Sequence, residues 1–345
     1  MSAIVTLKWE SGQLVLLDQT RLPEETVYVR LDSTQQVHHA ISVMQVRGAP
    51  AIGVAAAYGM VLAAQECTQA GGAFFECLQQ KGAYLSSARP TAVNLCWAVE
   101  RMLQKAKSLQ SLPQEALLDA LEQEAIFIHQ EDAAINRALG GHLLSLLHEG
   151  DGVLTHCNAG ILATTAYGTA LSPFYLAKER GFPLRVYADE TRPRLQGASL
   201  TAYELQQADI DVTLICDSMA AVLMQKGLIN AVITGCDRVA ANGDVANKIG
   251  TFSVSVLAKH FHIPVYIAAP TPTIDLHCPT GAQIPIEERS GDEIIYVKGN
   301  AVAPKGIKTF NPAFDVTPAG YLSAIVTEKG IVRAPYAENL QKLLG

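Results

Sequence analysis

Basic residues are scarce and scattered. Only 26 Lys and Arg stand against 33 Asp and Glu, for a formal net charge of −7, and no run of cations would track a phosphate backbone. Nucleic acid is therefore not an expected partner. No C-x-x-C pair occurs among the seven cysteines, at 67, 77, 96, 157, 216, 236 and 278. An odd, dispersed set reads as the reduced thiols of a cytoplasmic protein, and not as a disulfide framework or a zinc site. The first fifteen residues place Lys8, Glu10 and Gly12 among short apolar stretches, unlike a signal peptide. No stretch reads as the roughly 18 apolar residues of a membrane helix, so a membrane partner is not expected either. No G-x-G-x-x-G follows an expected strand, which removes the dinucleotide fingerprint of a nicotinamide dehydrogenase. Internal repeats and low-complexity segments are missing too.

Apolar residues, in contrast, are plentiful. They make up 49% of 345 residues, enough for a large core and more chain than one compact core usually holds. Residues 3–30 alternate apolar and polar side chains on both sides of Ser11-Gly12-Gln13, a β-hairpin followed by a short strand. From about Ser33 to Leu147 the period becomes helical, with Ala51 to Ala64 rich in alanine, Ala92 to Leu103 apolar on one face, and Gln114 to Leu147 forming one helix or a broken pair. After Gly150-Asp151-Gly152, short apolar runs at 153–156, 184–188, 212–215, 231–234 and 263–269 alternate with helix-like stretches. That alternation predicts βαβ units and a mainly parallel sheet. The expected fold is α/β: a β-hairpin plus helical domain over 1–149, then a Rossmann-like catalytic domain over 150–345. The Pro- and Gly-rich stretch from Thr273 to Pro312 predicts long loops around short strands.

In such a sheet the residues directly after each strand face the ligand crevice. Four clusters carry chemistry. Arg47-Gly48-Ala49-Pro50 opens the alanine-rich helix, where free backbone N–H groups beside a guanidinium suit a phosphate, or form only a tightly packed helix start. His156-Cys157-Asn158-Ala159-Gly160 places a cysteine at a strand end before a turn, where a thiolate is favoured, although free cysteine is often a small buried hydrophobe. His156 would point to the opposite side and reads as a packed histidine. Asp189 to Gly197 concentrates charged and amide groups after a strand, as recognition of sugar and phosphate oxygens would require or as a solvated loop allows. Thr234 to Thr251 sets Asp237 at the crevice and closes on Asn247-Lys248-Ile249-Gly250-Thr251, a turn suited to phosphate. Shielded from water, Asp237 would act as a general acid; the alternative is a structural acceptor.

Taken in order, RGAPAIG at 47–53, SSARPTAVNL at 86–95, HCNAG at 156–160, ETRPRLQG at 190–197, GCDRVAANGDVANKIGT at 235–251 and FNPAFDVTP at 310–318 resemble the methylthioribose-1-phosphate isomerase family, related to the regulatory subunits of eukaryotic translation initiation factor 2B. The resemblance spans nearly the whole chain. It implies that Cys157 and Asp237 are catalytic, and that Arg47, Gly48, Ala49, Arg89, Gln196, Asn247 and Lys248 bind a sugar phosphate. It further implies a homodimer in methionine salvage that uses neither metal nor organic cofactor. The chain departs from the family in having Cys236 where alanine usually precedes the aspartate. Rival readings are a sister isomerase acting on 5-deoxyribose 1-phosphate or ribose 1,5-bisphosphate, and a non-catalytic subunit of the initiation-factor type. Met44, Val46, Tyr58 and Trp97 are candidates for an apolar wall around carbon 5, which a methylthio group would need.

Overall fold

The computed structural model describes residues 4–70, 73–89 and 92–344. The chain divides into two compact units that no single cut separates. One holds the chain through Ile135 together with Ile161–Gly168; the other holds Asn136–Gly160 and everything from Thr169 onward.

In the first, helical unit, β1 (Leu7–Glu10) and β2 (Gln13–Leu17) form the expected hairpin, and β3 (Tyr28–Leu31) adds antiparallel to β2. Ser33 caps α1 (Thr34–Ser42) by accepting the Gln36 N–H. The next helix, α2 (Ala49–Ala70), is apolar on every side, and such a helix needs neighbours all round. It finds them in α3 (Phe74–Ser86) and α4 (Val93–Ser108). Glycine permits the approach: a Cβ at Gly53 would lie 3.1 Å from the Asn94 carbonyl oxygen. One long helix, α5 (Gln114–Leu144), follows and runs across the division between the units. The Ile161–Gly168 segment is tied into the helical unit by hydrogen bonds. Thr6 and Gln19 donate to the Ile161 and Leu162 carbonyls at 2.6 and 2.7 Å, and the Thr165 hydroxyl donates to Asp132 at 2.6 Å.

Two expectations are corrected in this unit. Ala49–Thr68 is long and apolar enough to cross a membrane by length and composition, yet 83% of its most apolar 18-residue window is buried inside the protein, as befits a core helix. Cys67 and Cys77 are joined by a disulfide, so the cysteines are not uniformly reduced. Antiparallel packing of α2 and α3 brings these two residues together across a short connection. Five cysteines, 96, 157, 216, 236 and 278, remain free thiols.

The second unit runs β4 (Gly152–Thr155), α6 (Ser172–Glu179), β5 (Arg185–Asp189), α7 (Ala202–Gln207), β6 (Val212–Ile215), α8 (Ala220–Gln225), β7 (Ala231–Thr234), β8 (Arg238–Ala240), β9 (Val245–Lys248), α9 (Thr251–His260) and β10 (Val265–Ala268). Beyond it come β11 (Ile274–Asp275), α10 (Asp292–Ile295), the β12–β13 hairpin (Tyr296–Val297, Asn300–Ala301), β14 (Phe314–Thr317), β15 (Ala324–Thr327), β16 (Gly330–Val332) and α11 (Tyr336–Leu344). The main sheet has the order β16-β15-β10-β7-β4-β5-β6, parallel except for β16. Its inner strands β15, β10, β7 and β4 are buried along their whole length, the continuous apolar run that helices on both faces demand. A smaller sheet, β11-β8-β9-β14, grows from the β7 end. The α/β architecture with a helical N-terminal region is thus as the sequence predicts.

Candidate active site

Cys157 stands two residues past β4 with φ +65°, a left-handed conformation that costs a non-glycine residue about 1–2 kcal/mol. Its backbone is held on both sides. The N–H donates to Thr191 Oγ1 at 2.8 Å, and the carbonyl accepts from the Thr201 hydroxyl at 2.6 Å. Its Sγ donates to Gln196 Oε1 at 3.4 Å, and the residue is half-buried. Thr191 is itself fixed from β6: Asp217, just beyond that strand, accepts the N–H groups of Thr191 and Arg192 at 2.8 and 2.7 Å. Gln196 leads into a π-turn at Gly197–Thr201, a wide helical turn often found at functional sites. Only glycine fits at 197, because a Cβ there would lie 1.7 Å from the Asp189 carbonyl oxygen.

Asn247 and Lys248 end β9. The Asn247 side chain donates to Thr251 Oγ1 at 2.9 Å, and Lys248 Nζ donates to the Ala313 carbonyl at 3.1 Å and sits 4.4 Å above the Phe314 ring. Burial holds the Lys248 ammonium below its ordinary value of 10.5; the nearby acidic groups of Cys157 and Asp237 oppose that, while Arg289 and Arg194 add to it. Two catalytic candidates and three cations thus share one electrostatic neighbourhood. Asp237 occupies the β7–β8 turn with its N–H donating to the Ala246 carbonyl at 2.9 Å. Its side chain is exposed, which corrects the expectation of a shielded acid: the open end of the sheet leaves the turn in solvent. Neighbouring Cys236 turns its sulfur onto the Ala268 carbonyl and Thr273, and burial, reinforced by Asp237, pushes its thiol up to about 12. It remains a neutral thiol.

His156, Asp189 and Asp217 could each offer one atom to a cation, since these atoms lie within 4.8 Å of one another. The groups are already engaged: His156 Nδ1 meets Asp189 Oδ2 at 2.9 Å, Nε2 meets the Ile249 carbonyl at 2.8 Å, and Asp217 takes two backbone amides. The cluster reads as a hydrogen-bonded network. The packed histidine expected from the sequence is there, 2% exposed.

Gln196, Asn247 and Lys248 therefore lie with Cys157 and Asp237 on the sheet unit. Arg47, Gly48, Ala49 and Arg89 lie on the helical unit. Arg47 is 8% exposed, Gly48 has φ +89° with no room for a Cβ beside the Ala163 backbone, and Ala49, exposed, is the first residue of α2. Arg89 is half-buried in the turn after α3; Pro90 and Thr91 of the same motif fall outside the described residues. The suggested apolar wall is not one environment. Val46 and Tyr58 are core residues, Tyr58 stacking on Trp9, while Trp97 is exposed on α4 under Arg101. Thr191, Thr201, Asp217, Arg289 and Phe314 were given no role from sequence. Asp217, directly past a strand, was open to the strand-end rule; the two threonines act through backbone turns that leave no trace in composition.

A mainly parallel sheet with helices between its strands, and the candidate side chains past its strand ends, define a Rossmann-like α/β protein. The chain matches the Initiation factor 2 subunit family over residues 45–334, and it belongs to that family. It is 59% identical to the 5-deoxyribose 1-phosphate isomerase of Bacillus thuringiensis (strain Al Hakam), over 99% of this chain and 98% of that one. A protein of the same name from Clostridium botulinum (strain Kyoto / Type A2) is 55% identical over 99% of both. Among solved structures, the 5-methylthioribose 1-phosphate isomerase of Pyrococcus horikoshii OT3 superposes with a TM-score of 0.95 at 39% identity, covering 99% of this chain and 96% of that one. The translation initiation factor eIF-2B subunit delta of A. fulgidus does so with a TM-score of 0.91 at 43% identity, over 99% of both.

Proposed function

We propose that this protein is an aldose–ketose isomerase that opens a ribose 1-phosphate altered at carbon 5 and releases the corresponding ribulose 1-phosphate. The observation that carries the reading is the convergence of Cys157, Gln196, Asp237 and Lys248 on one strand-end neighbourhood. An ordinary aldose opens its ring by losing the anomeric proton, but a 1-phosphate blocks that oxygen. Ring opening therefore needs a proton delivered to the ring oxygen; in this reading Asp237, protonated and covered by the bound sugar, delivers it and recovers a proton from the carbon-2 hydroxyl as that becomes the ketone. Cys157, held in its strained turn, faces carbons 1 and 2 and either carries the proton between them or stabilises the charge that develops. Gln196, Asn247 and Lys248 hold the sugar and its phosphate, and the family resemblance adds Arg47, Gly48, Ala49 and Arg89.

The leading substrate is 5-deoxyribose 1-phosphate, because the relatives at 54–59% identity carry that name. This reverses the preference that the motifs alone suggest. 5-Methylthioribose 1-phosphate, and with it methionine salvage, is the second reading, favoured by the Pyrococcus structure. A pocket that takes the larger sulfide rejects the smaller methyl only weakly, so the two activities overlap. Purified protein treated with chelator and given each sugar in turn, with ribose 1,5-bisphosphate beside them, decides the matter. Fastest ketose formation from the deoxy sugar supports the lead, and fastest formation from the methylthio sugar hands it to the second reading. No ketose from any of the three, with folded protein, overturns the isomerase and favours a binding subunit.

A further inference from the structure

We propose that His156 is a two-ended positioning residue: its Nδ1 side sets the cysteine half of the site, and its Nε2 side sets the lysine half. The inference rests on the isomerase reading above.

The ring lies beneath the site, and its two nitrogens reach two different catalytic segments. Nε2 contacts the Ile249 carbonyl at 2.8 Å, and Ile249 directly follows Asn247 and Lys248. A carbonyl only accepts, so Nε2 carries a hydrogen. Nδ1 contacts Asp189 Oδ2 at 2.9 Å, which requires one further proton between ring and carboxylate. The same strand end continues into Thr191, whose hydroxyl donates to the Asp189 carbonyl at 3.0 Å and accepts the Cys157 N–H. Burial opposes a charged ring, but the Asp189 bond, the Ile249 carbonyl and Asp217 outweigh it and raise the proton affinity of His156. Burial likewise raises that of Asp189, with Asp217 and Glu190 adding to it. The His156 bond pulls the Asp189 carboxyl the other way, so the contact itself favours a proton on the ring. Asp315 also faces the ring, accepting the N–H groups of Gly250 and Phe252 at 2.7 and 3.1 Å.

Two observations mark the pair as built for geometry. The other oxygen of Asp189, Oδ1, is buried without a hydrogen-bond partner, so the carboxylate is committed to His156. Gly250, at φ +106°, makes room for the ring, since a Cβ there would lie 2.7 Å from it. A buried ion pair adds little stability over an apolar pair of the same shape, so stability alone does not account for this contact.

Near-isosteric substitutions separate the two ends. His156→Asn keeps a donor at the Nδ1 position and loses the Ile249 contact; His156→Gln keeps the Ile249 contact and loses the one to Asp189. Expected for the isomerisation of 5-deoxyribose 1-phosphate is a KM raised at least about tenfold in His156→Asn with kcat within about threefold, and the reverse split in His156→Gln. Parallel changes in both variants, or no change in either, overturn the proposal, because a merely structural histidine would move both constants together. Should the His156 variants not fold, Asp189→Asn, which keeps both hydrogen bonds around a neutral ring, should stay within about threefold in kcat while Asp189→Leu falls at least about tenfold; equal behaviour overturns the proposal. Alkylation of Cys157 by iodoacetamide, read by mass spectrometry of its peptide, needs no turnover. His156→Gln should change that rate by at least about threefold and His156→Asn by less than about twofold. Absence of ketose from the unaltered protein thus sinks the isomerase reading, whereas equal alkylation rates sink the positioning role.

Discussion

Cys157 and Asp237 stand at the ends of adjacent strands, β4 and β7, yet they are held in opposite ways. The cysteine is gripped at its N–H, its carbonyl and its sulfur, all in a left-handed turn. The aspartate is fixed to a neighbouring strand by its N–H and presents an exposed carboxylate. The β4 side is preorganised by the protein, and in the proposed reaction the β7 side would be completed by what binds. Preorganisation is bought with strain at the β4 end, and the largest sensitivities to substitution belong there.

Chemistry gives the largest expected effect. Cys157→Ser and Asp237→Asn should each lower kcat about a thousandfold or more while the phosphate still binds. Near-normal turnover in either removes that residue from the mechanism. The comparison itself is sharpened by stability: in thermal melts Asp237→Asn should change unfolding free energy by less than about 0.5 kcal/mol, as exposed substitutions do.

Glycines give the next contrast. Gly197→Ala drives a methyl to 1.7 Å from a backbone oxygen, whereas Gly235→Ala, two residues before Asp237, meets the Ala159 methyl at 2.9 Å and the Thr169 hydroxyl at an ordinary 3.6 Å. Denaturant titration should show a loss of about 3 kcal/mol for the first and about 1 kcal/mol for the second. Equal losses would break the contrast between a rigid and an adaptable half.

Thr191→Val removes the acceptor of the Cys157 N–H, which should reduce stability by about 1–3 kcal/mol and lower kcat more than it raises KM. No substitution does the same at Asp237, whose N–H acceptor is a backbone carbonyl.

The smallest expected effect is a pH slope. Burial lowers the Lys248 value, so between that lowered value and the ordinary 10.5 the unfolded chain binds more protons than the folded one. Stability contributed by this group therefore rises with pH across that window and is flat below it. Saturating inorganic phosphate supplies a counter-charge and should flatten the slope in melts recorded through the window; Lys248→Met should abolish it.

Much of the sheet unit was legible because its parallel strands, buried ones and the largely exposed edge strand β6 alike, read as short apolar runs. The stretches 212–215 and 231–234 match β6 and β7 to the residue, and 153–156 is displaced from β4 by one. The strand-end rule put Cys157 and Asp237 just past two strands, and the structure has them past β4 and β7. It could not say how either is held, because Thr191 and Thr201 contribute through turns whose φ values and partners come from distant chain. The Cys67–Cys77 bond left no motif, since a ten-residue spacing becomes a pair only when α2 and α3 pack. The identity of α2 as a core helix was equally invisible: composition alone does not separate a helix surrounded by protein from one surrounded by lipid.

The passage of Ile161–Gly168 into the helical unit has a bearing on heredity. The chain passes from one unit to the other at 135/136, at 160/161 and at 168/169, so neither is encoded by an uninterrupted stretch of gene. A recombination event with a single crossover after Ile135 would deliver a helical unit without the carbonyls that receive Thr6 and Gln19 and without the hydroxyl that Asp132 accepts. A helical unit cut from the rest at Ile135 would therefore lack part of its own packing.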